Sequence, residues 1–329
     1  MPSDRRLKGG VLRDLTFGED LYATSASVEG FPALASLDVS PLADLASLSV
    51  SDMAALENLT FGEAASLTEL KVSRTSLASI ALPDRPYTSL MLFDNRLTSL
   101  EIPEAAQAGS LVELNVAHNR LTSLEVPASV TSLGIEGNRL ADLVLTGRDF
   151  TYVDGLAPGD AVAQSDVVLT AAEQADGTVV LDLSAMQGRL VSVISQTGTY
   201  DEASASIRYA SAADAEADVV SYQVNTGATL TEDGESGAVI LDVTAQVAVD
   251  PYDGGGANPD DGGTVPDDEG AGGPAGGDSA GDGPAGEGQP DVLAHTADGS
   301  SAPFAAAAAL ALASIAVACV VARRLRSSR

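Results

Sequence analysis

The side chains that most often carry catalysis are scarce in this chain. Histidine occurs twice, as His118 and His295, and cysteine once, as Cys319. A nucleophile needs a base within hydrogen-bond reach, and a transition-metal site needs several His or Cys ligands, so neither can be assembled from such a set. A single cysteine also leaves no disulfide within one chain. Carboxylates are abundant, with 47 Asp and Glu against 17 Lys and Arg and a formal net charge of −30. Glu101 and Glu125 could suggest the paired acids of a glycosidase. They recur once per repeat, however, and such a pair needs a cleft that makes its two members different. Asp260-Asp261 and Asp267-Asp268 hint at calcium but lack the regular acidic loop with its distal glutamate. The expectation is a chain without catalytic residues, cofactor or metal, and too acidic to favour nucleic acid.

The elements that position the remaining side chains are repeats. LTFGE stands at 15–19 and again at 59–63, with Leu37-Asp38-Val39 midway, so the first steps are 22 residues each. The column continues as Ile80-Ala81-Leu82, Leu100-Glu101-Ile102, Leu124-Glu125-Val126 and Leu143-Val144-Leu145. A second column runs beside it: Ala26-Ser27-Val28, Leu48-Ser49-Val50, Leu70-Lys71-Val72, Leu90-Met91-Leu92, Leu114-Asn115-Val116 and Leu133-Gly134-Ile135. Two alternating triplets per repeat read as two short extended segments with their apolar positions turned to one interior. Prolines at 83, 103 and 127 stop each run before a helix could complete a second turn. A period near 20 residues is that of a solenoid, whose coils bury their apolar edges only against one another.

TSLMLFDNRLTSL at 88–100, LVELNVAHNRLTSLEVP at 111–127 and VTSLGIEGNRLADLVL at 130–145 resemble the leucine-rich repeat, L-x-x-L-x-L-x-x-N-x-L. The match is close over 67–145 and looser over 11–66. The resemblance implies a β-rich leucine-rich-repeat solenoid over 11–150, with Asn95, Asn119 and Asn138 satisfying backbone groups at the turn and Thr75 standing at the preceding Asn position. It also implies a binding face made of the residues that flank the inward positions: Lys71, Ser73, Met91, Phe93, Asn115, Ala117, Gly134 and Glu136. Met91 with Phe93 suits a contact patch. Arg96, Arg120 and Arg139 form a further column, expected to be a solvated ladder balanced by acids such as Asp94 and Glu136.

The opening MPSDRRLKGG has no apolar core of signal-peptide length. Residues 1–10 are read as a disordered or truncated N-terminus, with a signal peptide and capping coils expected upstream. From 165 to 249 the texture changes to alternating β-rich segments separated by turn formers, which predicts a small all-β, sandwich-like module. Its text resembles the β-module that follows repeats in many bacterial surface proteins. Residues 250–302 are rich in Gly, Pro and Asp with almost no large apolar side chain, the composition of a disordered acidic stalk. Residues 303–322 carry no charge and are long enough for one transmembrane helix, and the basic tail 323–329 orients it inward.

Just upstream, Leu293-Ala294-His295-Thr296-Ala297 followed by the apolar run and basic tail resembles a sortase cell-wall sorting signal of the LPxTG or LAxTG kind. The resemblance implies cleavage after Thr296, recognition of Leu293 and Ala294, and sortase as a processing partner. Ala297 stands where that motif has glycine, and an ordinary membrane anchor is the alternative. The whole reads as a non-catalytic bacterial surface protein, anchored in membrane or wall, that binds an extracellular protein or glycan. Its alternatives are an envelope spacer without a ligand and the C-terminal part of a larger surface enzyme.

Overall fold

The computed structural model describes residues 4–13, 15, 17, 23–62 and 66–253. The expected stalk beyond 253, the sorting motif Leu293–Ala297, the transmembrane run, the basic tail and Cys319 lie outside them. Among the described residues no helix is long and apolar enough to cross a membrane.

The repeats form a β-solenoid. Its elements are β1 (Asp4–Lys8), β2 (Ser25–Glu29), β3 (Ser36–Asp38), β4 (Ser47–Met53), β5 (Asn58–Thr60), β6 (Glu69–Thr75), β7 (Ser89–Met91), the short helix α1 (Glu104–Gln107), β8 (Glu113–Asn115) and β9 (Ser132–Gly134). Strands β1, β2, β4, β6, β7, β8 and β9 pair parallel, in that order. Their register is set by the apolar columns: Ala26 faces Leu48, Leu48 faces Leu70, and the row runs on through Leu90, Leu114 and Leu133. All six are buried, as are Val28, Val50, Val72, Leu92, Val116 and Ile135 two residues later. A one-residue slip would turn both rows to solvent, so the hydrophobic pattern specifies the register.

Two expectations change. Residues 1–10 were expected to precede the repeats, yet β1 pairs in register with β2, Leu7 opposite Val28. Among the described residues the other apolar column forms strands only at β3 and β5, which pair with each other. Where the step leaves 22 residues, at Leu70, Leu90, Leu114 and Leu133, the surplus goes into loops and into α1.

The chain then runs through β10 (Asp149–Phe150), β11 (Tyr152–Val153), β12 (Ala161–Glu173), β13 (Val179–Asp182), β14 (Leu190–Ile194), β15 (Thr199–Asp201), β16 (Ser206–Tyr209), α2 (Ala212–Glu216), β17 (Val219–Glu232) and β18 (Glu235–Asp250). No free linker separates the two regions. β10 pairs with β17, while β11, two residues on, pairs with β9 of the solenoid. Leu145 N–H donates to Thr226 O at 2.7 Å and Thr229 N–H to Arg148 O at 2.9 Å. Tyr222 hydroxyl donates to Ala141 O at 2.7 Å, and Arg189 forks onto the Asp142 carboxylate. One apolar core runs through both regions, so the module covers the last coil as a cap.

The module's strands follow a single hydrogen-bonded path, β10-β17-β18-β12-β13-β16-β15, with β14 added to β17. They do not divide into the two separate sheets of the expected sandwich. The join is β12, which lies parallel to β18 along most of its length and meets β13 only through Ala172 and Glu173.

Candidate binding surface

The outward strand face is held rigid by a column of buried amides. Asn95 Nδ2 donates to Val72 O, Leu92 O and Phe93 O at 2.9, 3.0 and 3.2 Å, and its Oδ1 accepts from Thr75 N–H and Oγ1–H. Asn119 repeats the arrangement toward Leu92 O, Val116 O and Ala117 O and accepts from Leu97 N–H. Asn138 donates to Val116 O and Ile135 O and accepts from Leu121 N–H. Each amide thus joins two coils and satisfies backbone groups on both sides of the turn. Gln164, which the repeat pattern did not point to, extends the column: its Nε2 donates to Ile135 O at 3.1 Å and its Oε1 accepts from Leu140 N–H at 3.3 Å. It belongs to β12, so the amide column crosses from the solenoid into its cap.

Just before Asn95, Asn119 and Asn138 the chain turns through the left-handed region, at Asp94 and His118 with φ of 55° and at Gly137 with 68°, and it does the same at Asp52 and Arg74 of the two preceding coils, with 56° and 55°. Asp and His tolerate that region better than most residues. Arg74 does not, and its guanidinium is held bidentate by Asp52 one coil back, at 2.5 and 2.9 Å. A side chain at Gly137 would also collide with the His118 ring, so glycine is required there twice over.

The eight residues expected on the binding face separate into two groups. Lys71 and Met91 face each other across β6 and β7. Lys71 Nζ lies 5.4 Å from the centroid of the Phe93 ring, within cation–π range. Lys71 is exposed and Met91 and Phe93 are half-exposed, so these three make a contiguous patch. The second group is flatter. Ser73, Ala117 and Gly134 are buried, which corrects their placement as accessible contacts. Ser73 lies beside buried Val72 at the coil junction, and the Asn115 amide lies over Gly134 where a Cβ would otherwise stand. Asn115 Oδ1 accepts from Ala117 N–H at 3.1 Å, leaving its side chain committed locally. Glu136 remains half-exposed. In the neighbouring row Ser89 donates to Glu113 at 2.7 Å, and Tyr152 is exposed opposite Ser132. The arginine column is exposed at Arg96 and Arg120, while Arg139 lies 3.9 Å from Asp166.

Asp154 closes the face at β11. Its carboxylate accepts from Ile135 N–H at 2.9 and 3.0 Å and Glu136 N–H at 3.1 Å. In the earlier coils the equivalent N–H, as at Val116, donates to the carbonyl of the following coil. Burial, partly countered by these bonds, pushes the Asp154 carboxyl up to about 6. A carboxyl whose pKa is higher folded than unfolded favours folding most when protonated. Its contribution is complete below pH 3.8 and is lost as pH rises through 6. Carboxyl-carbon NMR should therefore show Asp154 titrating near pH 6. The stability of the wild type relative to Asp154→Asn should fall by at most about 3 kcal/mol across that window. A midpoint near that of exposed aspartates would refute the effect.

Among the described residues no cluster of three or more His, Cys, Asp or Glu is placed to hold a metal. The one buried carboxylate of the module, Asp218, is saturated by Ser195, Tyr209 and the Gln196 N–H, with no histidine beside it to make a nucleophile of the serine.

No protein-family profile matches this chain, and no curated protein matches it. Among solved structures it is similar to the functional domain of InlJ from Listeria monocytogenes, described as including a cysteine ladder. The identity is 14%, over 69% of this chain and 67% of that one, with a TM-score of 0.27.

Proposed function

We propose that this chain is a non-catalytic leucine-rich-repeat protein of a bacterial cell surface that binds an extracellular protein or glycan through its strand face. The observation that carries the reading is the Lys71–Met91–Phe93 patch. An aromatic ring, a thioether and a cation sit together on a platform whose other outward residues are mostly serine, glutamate and small side chains. Aromatic residues on a rigid support dominate binding because they bury large area at little entropic cost. Probing the full chain against immobilised extracellular-matrix proteins and a glycan array tests this. Saturable binding is expected, weakened by about tenfold or more in Phe93→Ser. Saturable binding that ignores Phe93→Ser and Lys71→Glu would place the ligand elsewhere, and no binding on either array would favour an envelope spacer.

Display at the surface is part of the same proposal, resting on the sequence of 293–329. Muralytic digestion of the cell wall is expected to release a form ending at Thr296 and carrying a wall fragment. An intact tail through Arg329, found only with membranes, would replace sortase processing by a membrane anchor.

A further inference from the structure

The module has an open side. β14 pairs with β17 along one edge, and β15 pairs with β16 along one edge. Among the described residues no strand pairs with the other edge of either. Residues of both strands border a groove of about 490 Å³ whose walls include Leu190 and Val193 of β14 and Tyr200 of β15. Leu190 and Val193 stand opposite Val224 and Tyr222, which are buried, so they belong to the core side of the sheet. All three wall residues are nevertheless only half-buried. The apolar interior is therefore accessible between two strands that each have hydrogen-bonding groups to spare.

Natural sheets usually protect such edges with charge, proline or a bulge. Here β14 reads LVSVI, without charge or proline, and leaves Val191 56% and Ile194 63% exposed. It has one bulge, at Val191, where the register to β17 shifts between Leu190 and Ser192. The bulge confines regular pairing to Ser192–Ile194 and so sets the register of anything that adds there. Glu202 is the one charged side chain lining the groove; the carboxylate of its neighbour Asp201 is engaged by the Ala203 N–H and the Ser204 hydroxyl.

We propose that this groove accepts an extended segment of another protein as a strand added to the free edge of β14, with apolar side chains at alternate positions entering the groove beside Tyr200 and a basic residue meeting Glu202. Strand addition supplies main-chain hydrogen bonds for affinity and pockets for alternate side chains for specificity. The partner is basic because the rim is acidic. A second copy of this chain, with a net charge of −30, would be repelled. The chain's own 254–292 segment is acidic and lacks alternating apolar residues.

The probe is a fluorescein-labelled heptapeptide with lysine at both ends and valine at its second, fourth and sixth positions, titrated with the full chain and followed by anisotropy. Saturable binding is expected, weaker by about tenfold or more for three changes: glutamate in place of the terminal lysines, methylation of alternate backbone nitrogens, and Glu202→Lys in the protein. Glu202 is exposed, so that variant should melt as the wild type does. Phe93→Ser should leave the peptide's affinity unchanged, which separates this site from the strand face. Absence of saturable binding, or binding indifferent to backbone methylation, would overturn the proposal. So would a concentration-dependent dimer that Val193→Lys dissolves, since it would make a second copy the occupant.

Discussion

Asn119→Ala is expected to destabilise the solenoid by about 3 to 5 kcal/mol, among the largest effects of any single substitution outside the core. The side chain is buried and makes four hydrogen bonds to two coils, at 2.7 to 3.3 Å. Removing it leaves the buried Leu97 N–H without its partner, at about 1 to 3 kcal/mol, and takes one of two donors from each of the Leu92 and Val116 carbonyls, which Asn95 and Asn138 still serve, at about 1 kcal/mol apiece. Asn119→Thr should lose roughly half as much. Two coils earlier a threonine, Thr75, already stands at the equivalent position, its Oγ1 accepting from Leu77 N–H of its own coil at 3.3 Å and donating to Asn95 Oδ1 at 2.6 Å. Urea unfolding of the two variants measures both. A loss below about 1 kcal/mol for the alanine would mean that water enters the site.

Leu114→Ala is expected to cost about 4 kcal/mol, within the range for a leucine removed from a close-packed core. It is fully buried, and Leu90 and Leu133 lie directly above and below it in register. The cavity would open between two coils whose backbones cannot close without breaking their own ladders. Leu124→Ala, in the column on the far side of the same coil, should cost only about 1 to 2 kcal/mol because that leucine is half-buried. The same unfolding measurement compares them. Equal losses would contradict the view that the strand column carries most of the packing.

That asymmetry was not legible in the sequence, where both columns carry the same L-x-[apolar] text. Period-2 alternation shows which residues point inward but not how much neighbour awaits them there. In the later repeats Leu100, Leu124 and Val126 stay half-buried, while Ile102, Leu143 and Leu145 are buried. Thr75 was legible as a departure from the Asn pattern, and the structure shows its hydroxyl bonding the Leu77 N–H of its own coil and the Asn95 amide. Gln164 and Asp154 were hidden for a common reason. Both satisfy solenoid backbone from chain that no longer follows the repeat, so no spacing marks them. Of the expected binding face, Lys71, Met91 and Phe93 stand together, whereas Ser73, Ala117 and Gly134 are buried. Small side chains beside a tight turn sink into the coil junction, and alternation alone cannot distinguish a small exposed residue from a small covered one.

The pairing of the module's first and last long strands has a mechanical consequence. β12 and β18 run parallel through ten residue pairs, from Ala161 with Ile240 to Ala172 with Asp250. A pull that enters the module at Ala161 and leaves at Asp250 therefore acts at opposite ends of this ladder and along its strands. The two slide against each other, and the hydrogen bonds of the ladder share the load together instead of parting one after another from an end. Resistance to forced opening is a matter of unfolding rate, and this geometry slows that rate in the direction in which the chain would be stretched between the solenoid and residues beyond 250.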